Sequence, residues 1–311
     1  MKKAAGSTIA ISLMDIANPF DLRAEVDNSV SATIPKRMLG RTGYEVSIVS
    51  LGGQSTIERP GRRDESVEII NRALDLGINY IDTSEVYGNG ISESYIGEVL
   101  RDRRAEVFLT TKTFQRTARG IEDVHFARSC ERLQTDFFDL YLLHAINRMA
   151  DLDAVLDREN GAILGFERLR EQGKIGHIGL SSHSTEVLTE ALNRYDFDCI
   201  FLTLNPAGLR MSQSPTETRA FLERVREKDV GVIAMKVTGR NGIFDTGISM
   251  EQALSYTLSA GRSGDAFPIA TAAIGITQVS QVDENVRLAK RYRPYTGEEM
   301  DRIEESVSRE T

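Results

Sequence analysis

Apolar, β-branched runs alternating with stretches of helical periodicity predict a single parallel (β/α)8 barrel, a TIM barrel carrying an N-terminal extension. Three observations carry this expectation. The alternation runs from residue 35 to residue 291 and yields eight strand–helix units, enough to close a sheet on itself. The 311 residues, 41% of them hydrophobic, fit one barrel of roughly 250 residues plus an extension. Three consecutive strands also end in groups capable of proton chemistry: INYIDTSEVYG brings Asp82 and Tyr87, VFLTTK brings Lys112 and DLYLLH brings His144. Parallel barrels deliver reactive groups at the C-terminal ends of successive strands, because the strand fixes the backbone and the following loop is free to vary.

The elements follow in order. MLGRTGYEVSIVSLGG carries a hairpin-like turn at Thr42-Gly43 and then the apolar run VSIVSL. Val67, Ile70 and Leu74 give 64–76 the spacing of an amphipathic helix, with Asp64 as N-cap and Gly77 just past its end. A strand over 78–83 leads to a helix over 92–100. Strand 107–112 leads to helix 121–133, with Phe126, Cys130 and Leu133 on one face. Strand 139–144 is followed by the long acidic segment 145–160, either a wall of the site or a solvated face, and by helix 161–171. Strand 177–182 and helix 184–194, strand 199–204 and helix 216–228, and strand 230–236 and helix 249–259 come next. Strand 272–276 and helix 278–291 complete the set, and residues 296–311 read as a short solvated helix. The loop Thr238-Gly239-Arg240-Asn241-Gly242 is either a hinged flap or a plain connection.

Composition excludes several classes. With 46 acidic against 38 basic residues and a net charge of −8, the chain lacks the basic stripe of a nucleic-acid binder. Its two cysteines, Cys130 and Cys199, form no Cys-x-x-Cys pair, and four histidines without a His-x-His pair give no ground for a metal centre. Both cysteines are expected to be small buried hydrophobes. No apolar run reaches the 18 or so residues that span a bilayer. Residues 1–34 stand apart as an extension before a barrel domain of 35–311. They are either a surface-docked segment, with FDLRAEV at 20–26 against the closed end of the barrel, or an export signal following Lys2 and Lys3. A cytoplasmic location is expected.

A strand-end Lys, Asp or His usually has a structural role. Four complementary groups at three consecutive strand ends are another matter. Carbonyl reduction needs a proton on oxygen, and tyrosine, with a pKa of about 10, is a weak donor at neutral pH unless a cation lowers that value. Lys112 could supply the cation, Asp82 could hold Lys112 charged, and His144 could hydrogen-bond the substrate oxygen.

These residues resemble the Asp-Tyr-Lys-His tetrad of the aldo-keto reductase superfamily, and the resemblance covers about residues 36–291. GINYIDTSEVYG…SESYIG is similar to the family's signature around its catalytic Asp and Tyr, with Glu93 and Gly97 in register. GKIGHIGLSSHS at 173–184 and QVDENVRLA at 281–289 resemble its nicotinamide-side and adenine-side segments. The resemblance implies hydride transfer between a nicotinamide cofactor and an aldehyde, ketone or corresponding alcohol, with Asp82, Tyr87, Lys112 and His144 catalytic. It implies a cofactor site at Gly52, Gly53, Asp82, Ser181, Ser182, Met235, Lys236, Gly275, Gln281, Glu284 and Asn285. The family binds its dinucleotide on barrel loops, in keeping with the absence of a Gly-x-Gly-x-x-Gly fingerprint.

Three departures bear on the cofactor. Ser182 replaces the usual Asn, and Phe201 or Leu202 replaces a Gln. Met235 stands where a ring-stacking aromatic is usual. Gly275 and Gln281 occupy the places of the Lys and Arg that grip the adenosine 2′-phosphate, so NADP(H) is only slightly favoured over NAD(H), with Lys236 or Arg287 as substitute cations. Phe114, Gln115 and Asn205 are candidate pocket residues. The family also includes non-catalytic, cofactor-binding β subunits of potassium channels, which is the rival expectation.

Overall fold

In the computed structural model, residues 33–308 are described. Residues 1–32, including the 20–26 docking segment and the export-signal alternative, lie outside the described residues.

In chain order the elements are strands β1 (Lys36–Met38), β2 (Glu45–Ser47) and β3 (Val49–Ser55), helix α1 (Arg63–Asp75), β4 (Tyr80–Asp82), α2 (Ile91–Arg103), β5 (Phe108–Thr113), α3 (Ala127–Leu133), β6 (Phe138–Leu143), α4 (Met149–Val155), α5 (Ala162–Glu171), β7 (Ile175–Ser182), α6 (Thr185–Arg194), β8 (Cys199–Thr203), α7 (Pro215–Val225), β9 (Gly231–Met235), α8 (Met250–Ser259), β10 (Ile269–Ile276), α9 (Val279–Lys290) and α10 (Gly297–Ser308). Strands β3 to β10 close into a parallel barrel in sequence order, with β10 returning to β3. The predicted TIM barrel is the observed fold. The turn at Thr42-Gly43 makes an antiparallel hairpin of β1 and β2, in which Gly43 takes φ 71°, a conformation open to glycine.

Side chains alternate across each strand with period two. Tyr80, Phe108, Leu140, Leu142, Cys199, Phe201 and Ile233 pack together with Leu39 and Val46 of the hairpin region, forming the core inside the barrel. Ile81, Leu109, Tyr141, Leu143, Ile200 and Leu202 belong to the larger layer between strands and helices. Continuing the inward parity toward the strand ends reaches Asp82 from Tyr80, Lys112 from Phe108 and His144 from Leu142. The barrel therefore delivers the three groups to one place because they share a face with its inner core.

Several expectations are corrected. Asp64 lies inside α1 and does not cap it; Arg62 occupies the cap position without a side-chain hydrogen bond. Gly77, with φ 90°, does close that helix. The helix expected at 121–133 begins as a π turn over Ile121–Phe126. Segment 145–160 contains α4, anchored by buried Leu152 and Val155. The C-terminal helix is docked as well as solvated: Met300 and Val307 are buried, and Arg219 of α7 pairs with Asp301 at 2.5 Å. Cys199 is buried as expected, whereas Cys130 is only partly so. No helix among the described residues is long and apolar enough to cross a membrane.

Candidate active site

Asp82 ends β4, and Lys112 sits in β5 one residue before its end. Lys112 Nζ lies 2.5 Å from Asp82 Oδ1, donates to the carbonyl of Thr83 at 2.7 Å, and reaches the Tyr87 hydroxyl at 3.3 Å. Both charged groups are almost fully buried. No hydrogen bond of standard geometry among the described residues reaches Asp82 Oδ1, and Lys112 is its largest counter-charge, with Lys236 adding to it. Tyr87 follows β4 in a tight turn where Gly88 and Asn89 both take positive φ. The ammonium also lies 4.8 Å from the Tyr87 ring centre and 5.1 Å from that of Phe201. His144, just past β6, donates its backbone N–H to Thr113 O at 2.9 Å. Its ring stands edge-on to Tyr87, centres 5.7 Å apart, and packs 4.3 Å from Phe114.

Burial dominates the electrostatics. It raises the Asp82 carboxyl and lowers the Lys112 ammonium, each opposed by the attraction of the other. The Tyr87 phenol is pushed well above its usual range, first by burial and then by the Asp82 and Glu58 carboxylates. The net direction is upward, opposite to the lowering expected from Lys112, because burial dominates and the Asp82 carboxylate adds to it. His144 is held well below the usual histidine range by burial and by Lys112, Lys236 and Arg116, and is neutral at pH 7.

Beside this cluster opens a cavity of about 280 Å³. Of the residues expected at the cofactor, Gly52, Gly53, Asp82, Met235, Lys236 and Gly275 form its wall together with Tyr87. A Cβ on Gly275 would come within 2.7 Å of Ser55 Oγ, so a side chain there would require that hydroxyl to turn away. Lys236 takes φ 57° and bonds to Gln54 Oε1 at 2.7 Å; burial and nearby Arg240 lower its pKa to about 8. That backbone turn breaks strand parity and puts Lys236 on the cavity beside Met235. Arg59 and Arg240 add cations, and Thr238 and Asn241 add polar groups, so the loop 238–242 lines the cavity. A polar, cation-rich wall with one bare strand edge fits an anionic dinucleotide.

Five expected cofactor residues are not in the wall. Ser181 Oγ accepts the N–H of Ala145 at 2.8 Å. Ser182 has the opposite strand parity, and its hydroxyl is taken up with Ser184 and Asn147. Gln281 Oε1 accepts from Thr277 N at 2.8 Å and so steadies a wall residue without joining the wall. Glu284, 3.9 Å from Arg287, is outside the wall, as is that arginine, and Asn285 is buried in α9. Phe201 lines the cavity and Leu202 does not. Asn205 is buried, donating to Leu209 O and Lys236 O. Gln54, Glu58 and Arg59 were missed: Gln54 sits at the end of β3, and Glu58 and Arg59 follow it in an irregular turn with no period to mark them. Ser84 was also missed, although it stands two residues after Asp82; it is fully buried between Lys112 and His144.

A model of the "Aldo/keto reductase family" matches residues 49–253. The chain is 29% identical over 210 residues to an uncharacterized oxidoreductase, YqkF, of Bacillus subtilis, covering 64% of this chain and 63% of that protein, a little under two thirds. It is 25% identical over 289 residues to an L-galactose dehydrogenase of Arabidopsis thaliana, covering 81% and 87% respectively. The solved holo form of an aldo-keto reductase, AKR11C1, from Bacillus halodurans superposes with a TM-score of 0.72 at 27% identity, over 88% of this chain and 96% of that one.

Proposed function

The chain belongs to the aldo/keto reductase family, and from that premise we propose that Asp82, Tyr87, Lys112 and His144 carry out carbonyl reduction with a nicotinamide dinucleotide held in the adjoining cavity. The observation that carries the reading is the buried Asp82–Lys112 pair, its ammonium 3.3 Å from the Tyr87 hydroxyl at the cavity wall. A buried ion pair is a poor device for stability alone, since desolvation offsets much of the attraction.

The dinucleotide, when bound, supplies hydride to the carbonyl carbon. Tyr87 gives the proton to the carbonyl oxygen. The phenol is protonated at neutral pH, as a donor must be, and the ammonium 3.3 Å from its oxygen favours the phenolate left when the proton is given up. Lys112 holds the hydroxyl in place and offsets charge that develops on it; Asp82 keeps Lys112 charged and aimed. His144, neutral, orients the substrate oxygen. Lys236, Arg240 and Arg59 hold the phosphates, with Gly52, Gly53, Gly275 and Met235 along the remaining wall. NADP(H) is favoured slightly over NAD(H), because Lys236 stands on the cavity while Gly275 offers no charge. The substrate is a small aldehyde or ketone, or the corresponding alcohol in reverse.

Fluorescence titrations with NADPH and NADH, followed by a panel of aldehydes and ketones, test this. Turnover of a carbonyl supports the proposal. Tight dinucleotide binding with no turnover across the panel would favour the regulatory-subunit reading. Absence of binding would sink both.

A further inference from the structure

Ser84 Oγ lies 3.0 Å from His144 Nδ1 and 3.2 Å from the carbonyl of Lys112. The serine is completely buried, so water does not compete for either contact. A hydroxyl has one proton to give and lone pairs to receive with. A carbonyl only accepts, so the contact with Lys112 uses that proton. The remaining contact is then made by Nδ1–H donating to Oγ. In series, Nδ1–H to Oγ–H to O=C satisfies both contacts. If the serine gave its proton to Nδ1, the contact with Lys112 would set one oxygen against another. Burial and the surrounding cations keep the ring neutral, so a proton on Nδ1 leaves none on Nε2. No hydrogen bond among the described residues engages Nε2.

From this geometry we infer that Ser84 is a positioning residue that sets the tautomer of His144, holding Nδ1 protonated at rest and leaving Nε2 as a bare acceptor. The inference rests on His144 being the group that meets the substrate oxygen. A bare Nε2 accepts the hydroxyl proton of an alcohol directly. A carbonyl oxygen can only accept, so His144 must then carry its proton on Nε2. That form requires the Ser84 hydroxyl to turn from Lys112 O to Nδ1 and give up its contact with the carbonyl, so the resting geometry favours the alcohol as the partner of His144.

The full-length protein, labelled with 15N-histidine, tests this without any turnover. Its four histidines give few signals, and His144→Gln identifies the relevant pair. The expected wild-type spectrum shows Nδ1 of His144 protonated and Nε2 bare. Ser84→Ala removes the acceptor at Nδ1 and should move the proton to Nε2; Ser84→Thr should restore the wild-type pattern. Should Ser84→Ala not fold, Ser84→Cys, a far weaker hydrogen-bonding group, makes the same comparison. An Nε2–H tautomer in the wild type, or an unchanged tautomer in the hydroxyl-less variant, would overturn the inference. Failure to turn over any carbonyl would count against the proposed activity and leave the tautomer measurement standing.

Discussion

Tyr87 and Lys112 meet at 3.3 Å, yet the phenol is held protonated by burial and by carboxylates, and the ammonium is balanced by Asp82. The two residues therefore fail differently when changed. Tyr87→Phe removes a hydroxyl and little volume; carbonyl reduction should fall at least ~10²-fold while the dissociation constant for NADPH stays close to wild type. Wild-type turnover in that variant would remove Tyr87 from the mechanism. Lys112→Met leaves Asp82 buried without its cation. Activity should be lost, and denaturant unfolding should show a stability loss on the order of 3–5 kcal/mol, the usual scale for breaking one side of a buried pair. Retained activity with lowered stability would make the pair purely structural. Lys112 was legible in the sequence because it closes an apolar run with a charge that cannot be left in a core unpartnered, and Tyr87 because it follows Asp82 in a segment that resembles the family's signature. Ser84 was not: serine is common in turns, and only its distances to Lys112 and His144 distinguish it.

Strand parity explains how the catalytic candidates gather and only in part which expected cofactor residues reach the cavity: Ser181 shares the inward face of β7 and still lies outside the wall. The inward series of β4, β5 and β6 ends in Asp82, Lys112 and His144, and a period of two is visible in sequence. The same rule, had it been applied to β7, would have turned Ser182 away. Lys236 breaks the rule through a positive φ that no hydrophobic pattern reveals, and Arg59 lies in a turn without periodicity. Two outcomes follow at this scale. A methyl on Gly53 would meet Asp82 O at 2.7 Å and Ser92 Oγ at 2.6 Å. Gly53→Ala should therefore shift the end of β4, lowering stability by ~1–3 kcal/mol and reducing activity, as overpacked sites do; a variant of unchanged melting temperature and kcat would contradict this packing. The second concerns Lys236, whose pKa is lowered to about 8. Phosphates favour its charged form, so NADPH affinity should weaken as pH rises through about 8, and Lys236→Met should flatten that profile. With Gly275 bare and Gln281 turned to Thr277, NADPH and NADH dissociation constants should differ by less than ~10³-fold, as lost charge-assisted contacts of ~1.5–3 kcal/mol each imply. A larger preference for NADPH would mean that another cation grips the 2′-phosphate.

Across the whole molecule, three histidines, His144, His177 and His183, are lowered from their usual range, each first by burial. Unfolded, an imidazole titrates near about 6.5. Between the folded and unfolded values the unfolded chain binds more protons, so stability rises with pH there and is lost as pH falls below about 6.5. Thermal unfolding should show this slope, and His177→Gln, early in β7, should reduce it; a flat profile from pH 7 to 5 would contradict the burial. The barrel itself was evident from the alternation of elements, but its closure is a non-local event that no local pattern encodes. The cavity sits on that closure. Gln54 and Ser55 come from the first barrel strand, Lys236 from the turn that follows β9 and Gly275 from β10, and the Lys236–Gln54 bond joins positions 182 residues apart. Whatever fills the cavity thus clamps the beginning of the barrel to its end. Opening along β3 and β10 would release the ligand, so occupancy suppresses that motion by mass action. Saturating NADPH should slow amide exchange in β3 and β10 well beyond any slowing in β5 and β6, making the dinucleotide a rivet in the wall as well as a reagent.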